Sequence, residues 1–226
     1  MGNTKAHGKY YSKVEKYKNG NPMVFPSVTT ILKNVGWNSY ILQKWAVKQA
    51  GFGEDPAEVL REASRIGTCV HDMAEAYLRG TAPCLKDYSA NQIEKAENGF
   101  SAFLKWRKAY DFKFLEMERV VVSEEYRYGG KTDGIGMCDG LLSILDFKTS
   151  KYLYDEHKAQ LASYAKAYEE ETGKVIQQYF VIQFGKEDAE FHFHPISDAH
   201  IATGWETFKH ARALHELHKQ FTSTTA

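Results

Sequence analysis

Between positions 114 and 147 the chain carries four short β-rich runs, at 114–122, 125–128, 133–137 and 141–147, punctuated by Gly or Asp-Gly. That cluster, with helical patterns before and after it, constrains the fold more than any other feature. Asp139-Gly140 is a two-residue hairpin signal, because both central positions of such a turn need positive φ, so the runs predict an antiparallel meander. A sheet must bury at least one face, and the flanking patterns supply the cover. Ile41, Leu42, Trp45 and Ala46 recur at helical spacing and predict a helix over 38–49, closed by Gly51-Phe52-Gly53. Asp55-Pro56-Ala57-Glu58 combines an N-cap, a first-turn proline and a capping-box glutamate ahead of a helix to about Arg79. Its expected buried stripe is Leu60, Ala63, Ile66, Val70, Met73 and Tyr77.

Residues 89–110 predict another helix, carrying Ile93, Ala96, Phe100, Phe103, Leu104 and Trp106 on a broad face. Residues 155–171 read as helix, 175–184 and 190–194 as strands, and Ser197 as the cap of a last helix to roughly Lys219, leaving 221–226 as a frayed tail. At the other end, residues 9–25 around Asn19-Gly20-Asn21-Pro22 predict a hairpin that leads into a helix start, with Ser27 as its N-cap. No repeat or linker divides the chain. The expectation is one α/β domain over 1–226, a central mixed β-sheet flanked by helices.

Composition then narrows the function. Hydrophobic residues at 43% and charged residues at 26% exclude a disordered chain. Lys plus Arg and Asp plus Glu are 29 each, so nucleic acid would have to be met by a local patch and not by net charge. Cys69, Cys84 and Cys138 are an odd, unclustered set, which argues against a disulfide framework and a four-thiolate metal site and makes a reducing cytoplasm the default. Residues 1–17 lack the apolar segment of a signal peptide, and no apolar run is long enough to span a membrane.

The chemistry concentrates between Gly129 and Lys151. Gly130-Lys131-Thr132 looks like the end of a phosphate-binding loop, but that motif needs a glycine at position 125, which is Glu. In Asp146-Phe147-Lys148, the two-residue period puts Asp146 and Lys148 on one face and Phe147 in the opposite packing layer. Taken alone, these residues fit an exposed strand end with a surface ion pair equally well. Asp133 lies 13 residues upstream, across the Asp139-Gly140 turn, so strand pairing would bring both carboxylates to one edge. Neighbouring carboxylates repel unless a cation holds them, and hard oxygen ligands suit Mg²⁺ or Mn²⁺.

Glycine, Asp133, a hairpin and Asp146-x-Lys148 followed by Thr149-Ser150-Lys151 resemble the PD-(D/E)XK nuclease superfamily, in its RecB-like branch. Gly67-Thr68-Cys69-Val70-His71 looks like the branch's upstream histidine motif, and Gln160-Leu161-Ala162-Ser163-Tyr164 looks like its downstream Gln-x-x-x-Tyr. The four parts stand in family order over residues 67–164. Separately, His71 reads as a satisfied structural histidine, and Gln160 and Tyr164 as a polar flank beside core residues. Asp146 stands where the superfamily often has glutamate, a change common in this branch.

The resemblance implies a restriction-endonuclease-like core in which His71, Asp133, Asp146 and the Phe147 carbonyl hold Mg²⁺ or Mn²⁺. Lys148 would orient or deprotonate the attacking water, Gln160 would position that water or the phosphate, and Tyr164 would brace the phosphate or sugar. Glu118 and Glu75 could serve a second metal or the outer shell, and surface solvation explains them equally well. Iron-sulfur members of the branch need four cysteines, so no such cluster is expected. The implied activity is a DNA exonuclease acting on single- or double-stranded ends in replication, recombination or repair, from a bacterial or phage-infected cytoplasm, with no membrane partner. The resemblance admits a homo-oligomer or a recombination or replication partner protein. Lys148 with Lys151, or Lys105, Arg107 and Lys108, could contact phosphates, and Trp37, Tyr40 and Trp45 could stack unpaired bases, although aromatics at helical spacing are more often core. His192 and His194 read as surface residues. The competing readings are an endonuclease using the same residues and a catalytically silent DNA-end-binding module.

Overall fold

The computed structural model describes residues 9–37 and 39–223, and side chains to 221; Asn38, residues 1–8 and residues 224–226, on which parts of the leader and tail expectations fall, lie outside the described residues. A two-stranded hairpin, β1 (Tyr10–Lys16) and β2 (Pro22–Phe25), leads through Ser27 into the short α1 (Val28–Lys33). Ser27 caps that helix by accepting from the Thr30 amide at 3.0 Å. Then come α2 (Ser39–Gly51), α3 (Pro56–Arg79) and α4 (Ala90–Ala109). The sheet comes next, as β3 (Lys113–Ser123), β4 (Tyr128–Cys138), β5 (Leu141–Lys148), α5 (Asp155–Thr172), β6 (Gln178–Phe184) and β7 (Phe191–Pro195), and α6 (Asp198–Ser223) closes the described chain.

The five strands lie in chain order, β3-β4-β5-β6-β7, all antiparallel except β5 against β6. A parallel neighbour needs a crossover, and α5 provides it. The architecture is therefore α/β, a mixed sheet flanked by helices. Alternation along β5 divides the core. Ile144 packs with Ile135, Val181, Tyr164 and Phe208 beneath α5 and α6, while Leu145 and Phe147 pack with Val70, Met73, Phe103 and Trp106 beneath α3 and α4. β6 is buried on both faces, which is why its sequence, Tyr179 to Phe184, is an almost unbroken apolar run.

Five expectations need correction. Residues 125–128 are not a strand: residues 124–127 form the turn joining β3 to β4, and Tyr128 begins a single eleven-residue β4 that runs through Asp133. The reason is local. Glu170 accepts from the Glu124 and Glu125 amides (2.9 and 3.1 Å) and Ser123 Oγ from the Tyr126 amide (3.0 Å), so these donors are satisfied without a ladder. In α3, Leu60 and Tyr77 are exposed while Cys69, Ala74 and Ala76 are buried; the residues that join the core with Leu145 and Phe147 of the sheet are Ile66, Cys69, Val70, Met73 and Ala74. Glu58 turns to Arg61, leaving the N-terminal cap to Asp55, which accepts from the Ala57 amide at 2.9 Å. α6 extends to Ser223, so Phe221–Ser223 are helical and not part of a tail. α2 forms where its periodicity predicts it but buries none of its residues; Ile41 and Leu42 are exposed. Among the described residues, no helix is long and apolar enough to cross a membrane.

Candidate active site

The sheet register gathers three acids. Gly134 of β4 faces Leu145 of β5, and Asp133 and Asp146 occupy the next position beyond that pair. On the other side, Glu118 of β3 falls between Met117, opposite Gly134, and Arg119, opposite Thr132, which sets it against Asp133. Three adjacent strands thus carry a carboxyl group at one level of the sheet. Like charges facing across a ladder repel, so the row needs cationic partners.

Each acid has one. Lys148 Nζ forms an ion pair with Asp146 Oδ2, and Lys131 Nζ one with Glu118 Oε2. From α3, His71 places Nδ1 3.2 Å from Asp133 Oδ1, while Asp133 Oδ2 accepts from the Phe147 amide at 2.6 Å. Phe147 turns its ring away into an aromatic cluster with Phe103, Trp106 and Phe184, as the two-residue period predicts. The Asp146–Lys148 pair is no surface pair: Asp146 is 3% exposed, and its Oδ2 is enclosed without a hydrogen bond of ordinary geometry, although the ammonium lies against it.

Burial disfavours the charged form of every group here. In Asp146 that effect is the largest and prevails, raising its pKa; Lys148 opposes it, and Asp133 adds to it. For Asp133 burial is again the largest single influence, but His71, Lys148 and the Phe147 amide together outweigh it and hold the carboxyl below its usual range. Burial lowers the pKa of His71, and the adjacent Asp133 carboxylate more than reverses this, so the imidazole is raised.

A polar chain continues onto α5. Lys148 Nζ donates to Gln160 Oε1 at 2.9 Å, and Gln160 Nε2 donates to the Tyr164 hydroxyl at 2.7 Å. Tyr164 is 4% exposed, so in this structure its hydroxyl braces Gln160. Two glycines make the approach of these elements possible. A Cβ on Gly130 would stand 2.1 Å from the Tyr164 ring, and one on Gly67 would stand 2.7 Å from Thr149 Oγ1, so Gly67 lets α3 close on the segment just after Lys148.

The donor set suits a hard divalent cation. One ligand atom each of His71, Glu118 and Asp133 lie within 4.8 Å of one another, and a set of two carboxylates and one imidazole without thiolate suits a hard or borderline divalent ion better than a soft one. Asp146 stands beside this group with its oxygen toward Lys148. A cleft of about 190 Å³, lined by Gly67, Thr68, His71, Asp72, Glu118, Lys131 and Asp133, reaches the trio. A cavity of about 700 Å³ between α5 and α6, lined by Trp37, Tyr154, Lys158 and His200, touches none of these groups.

The other candidates fall elsewhere. Lys105 pairs with Glu190, and Arg107 donates to the Phe112 carbonyl at 2.8 Å, so both are committed to the fold. Lys151 lies over the Tyr152 ring. Trp37 and Tyr40 are exposed, Trp45 is half-buried, and Glu75 pairs with Arg79. His194 is half-buried against Gln183, whereas His192 is exposed. The sequence weighs Glu118 no more than Glu75 and offers Lys131 only within the rejected phosphate-loop signature, whereas the structure sets Glu118 beside Asp133 and pairs it with Lys131. The signal for both was the β3–β4 turn, since once residues 124–127 form it, the register puts Glu118 opposite Asp133.

No protein-family model and no curated protein matches the sequence. Among solved structures, the chain is similar to a Eubacterium rectale protein provisionally named an exonuclease, at 13% identity and a TM-score of 0.47, over 64% of each chain. It is also similar to the alkaline exonuclease LHK-Exo of Laribacter hongkongensis, at 15% identity and a TM-score of 0.37, over 70% of this chain and 84% of that one. LHK-Exo in complex with dAMP gives 16% identity and a TM-score of 0.39, over 73% and 93%. At such identities and scores, a function for this chain rests on its own residues.

Proposed function

We propose that the protein is a Mg²⁺- or Mn²⁺-dependent deoxyribonuclease of the RecB-like branch of the PD-(D/E)XK superfamily, a single nuclease domain that hydrolyses phosphodiester bonds from DNA ends. The observation that carries the reading is the convergence of four separated motif parts. His71 of α3 meets Asp133 of β4, Asp146-x-Lys148 of β5 meets Gln160 of α5, and the Phe147 amide donating to Asp133 ties the two pairs together.

His71, Asp133, Asp146 and the Phe147 carbonyl would hold the ion, which when bound polarises a non-bridging phosphate oxygen and makes water a better nucleophile. The chain's own contribution is positioning and charge. The Lys148 ammonium, fixed between Asp146 and Gln160, stands ready to offset negative charge building on the phosphate. Gln160 keeps that ammonium in place, and Tyr164, buried against Gly130, keeps Gln160 in place. Asp133 holds the imidazole of His71 on one oxygen and the backbone of β5 on the other, locking α3 to the strand that bears the lysine.

The test is degradation of end-labelled single- and double-stranded DNA with Mg²⁺, Mn²⁺ or chelator, comparing the native chain with Lys148→Ala. Metal-dependent loss of the end label, abolished in the variant, is expected; cleavage in chelator or an undiminished variant would refute the site. Cutting of covalently closed circles would make the enzyme an endonuclease, and DNA binding without cleavage in either metal would make it a silent end-binding module.

A further inference from the structure

We propose that Glu118 is an additional cation-binding group of this site and that Lys131 is its built-in competitor, so that the Lys131–Glu118 pair sets how tightly the site takes a divalent ion. The inference rests on the metal-dependent reading above and adds to it a residue pair outside the four-part motif.

Three observations converge on Glu118. It is set opposite Asp133 in the β3–β4 ladder, where two carboxylates repel unless a cation lies between them. One of its oxygens, one of Asp133 and one nitrogen of His71 all lie within 4.8 Å of one another, a spacing that a single ion could bridge. Its backbone also holds φ at +52°, although the strand pairs in unbroken register on both sides, at Met117 with Gly134 and Arg119 with Thr132. L-residues adopt such φ at a cost and do so mostly where surroundings or function impose it. Next to the trio, Asp146 Oδ2 is enclosed against the Lys148 ammonium.

Lys131 supplies positive charge to this row without any metal. Its side chain is 37% exposed against 17% for Glu118, so the lysine has solvent to swing into and the carboxylate does not. A flexible ammonium on a four-carbon stem is a displaceable cation. Binding of an ion at Glu118 would therefore displace Lys131 from that carboxylate within the cleft it lines, where its ammonium would face an incoming phosphate.

The test is calorimetric titration of Mn²⁺ into DNA-free protein. Removing a competitor held in a partly exposed ion pair should tighten Mn²⁺ binding by about fivefold in Lys131→Met. Loss of the carboxylate should weaken it by about tenfold in Glu118→Gln. Glu118→Gly guards against a folding artefact: it relieves the positive φ, so it should melt above the native protein while still binding Mn²⁺ weakly. Native affinity in Glu118→Gln and Glu118→Gly, or unchanged or weaker binding in Lys131→Met, would overturn the inference. Asp133→Asn separates the two levels. Its loss of Mn²⁺ binding alongside unaltered Glu118 and Lys131 variants would remove only this inference, whereas native binding by Asp133→Asn would remove the ion site itself.

Discussion

Replacing Lys148 with methionine in metal-free buffer should expose how the buried pair is balanced. The substitution keeps the length of the side chain and deletes the ammonium that lies against Asp146, a residue only 3% exposed. A buried carboxylate stripped of its partner destabilises a fold by about 3–5 kcal/mol. Asp146 has a way out, however, because burial already raises its pKa and it can fold protonated. At pH 7, taking up that proton against an unfolded pKa of about 3.9 costs about 4 kcal/mol, at 1.36 kcal/mol per unit; at pH 5 the same step costs about 1.5 kcal/mol. With the folded pKa above the unfolded one, the contribution is fully present below about pH 3.9 and is lost as pH rises toward the folded value. Lys148→Met should therefore trail the native protein by at most about 4 kcal/mol at pH 7, and the gap should close toward pH 5. Urea denaturation in EDTA at pH 5, 6 and 7 measures it. Adding Asp146→Asn should recover at least half of the pH 7 loss, since position 146 then buries no charge. A gap that stays constant with pH, or a double variant no better than the single one, would show that Asp146 is not the strained charge.

Three further outcomes rest on the packing. Gly130→Ala drives a methyl group to within 2.1 Å of the Tyr164 ring and should lower stability by about 1–3 kcal/mol while loosening the Gln160–Lys148 chain, seen as a lower melting midpoint and a larger fall in the rate of the proposed DNA cleavage. Gly67→Ala meets Thr149 Oγ1 at 2.7 Å; its destabilisation should largely vanish in the double variant with Thr149→Ala, and simple additivity of the two would refute the contact. His157 is pushed down to about 3, first by burial and then by Lys148, and its Nδ1 accepts from the Tyr154 amide at 3.3 Å. Its folded pKa lies below the unfolded value of about 6.5, so the unfolded chain binds the extra proton and stability falls by up to about 1.4 kcal/mol per unit as pH drops from 6.5 to 5. That slope should shrink in His157→Gln when unfolding curves are compared over the same window.

Much of this molecule is legible in local sequence. Asp139-Gly140 takes positive φ at both residues, Ser27 and Asp55 cap the helices they precede, and the order of helices and strands obeys periodicity, because each of these is decided by neighbours a few residues away. The same locality explains the failures. Residues 125–128 look like strand by composition, but Glu170, some 45 residues further along the chain, takes the Glu124 and Glu125 amides and the chain turns instead. α2 has an apolar face by spacing, yet no element packs deeply upon it.

Amino-acid order alone establishes which side chains are available and in what succession: a histidine after Gly67, Asp133, Asp146-x-Lys148 and Gln160 with Tyr164. Their register belongs to the folded molecule. Folding set Glu118 against Asp133, buried Asp146 against Lys148, and turned Tyr164 from the cleft toward Gln160. Helix and strand formation answer to periodicities that a short segment contains in full. Charge placement answers to pairing between strands and to burial beneath helices, and these exist only once distant segments have closed on one another.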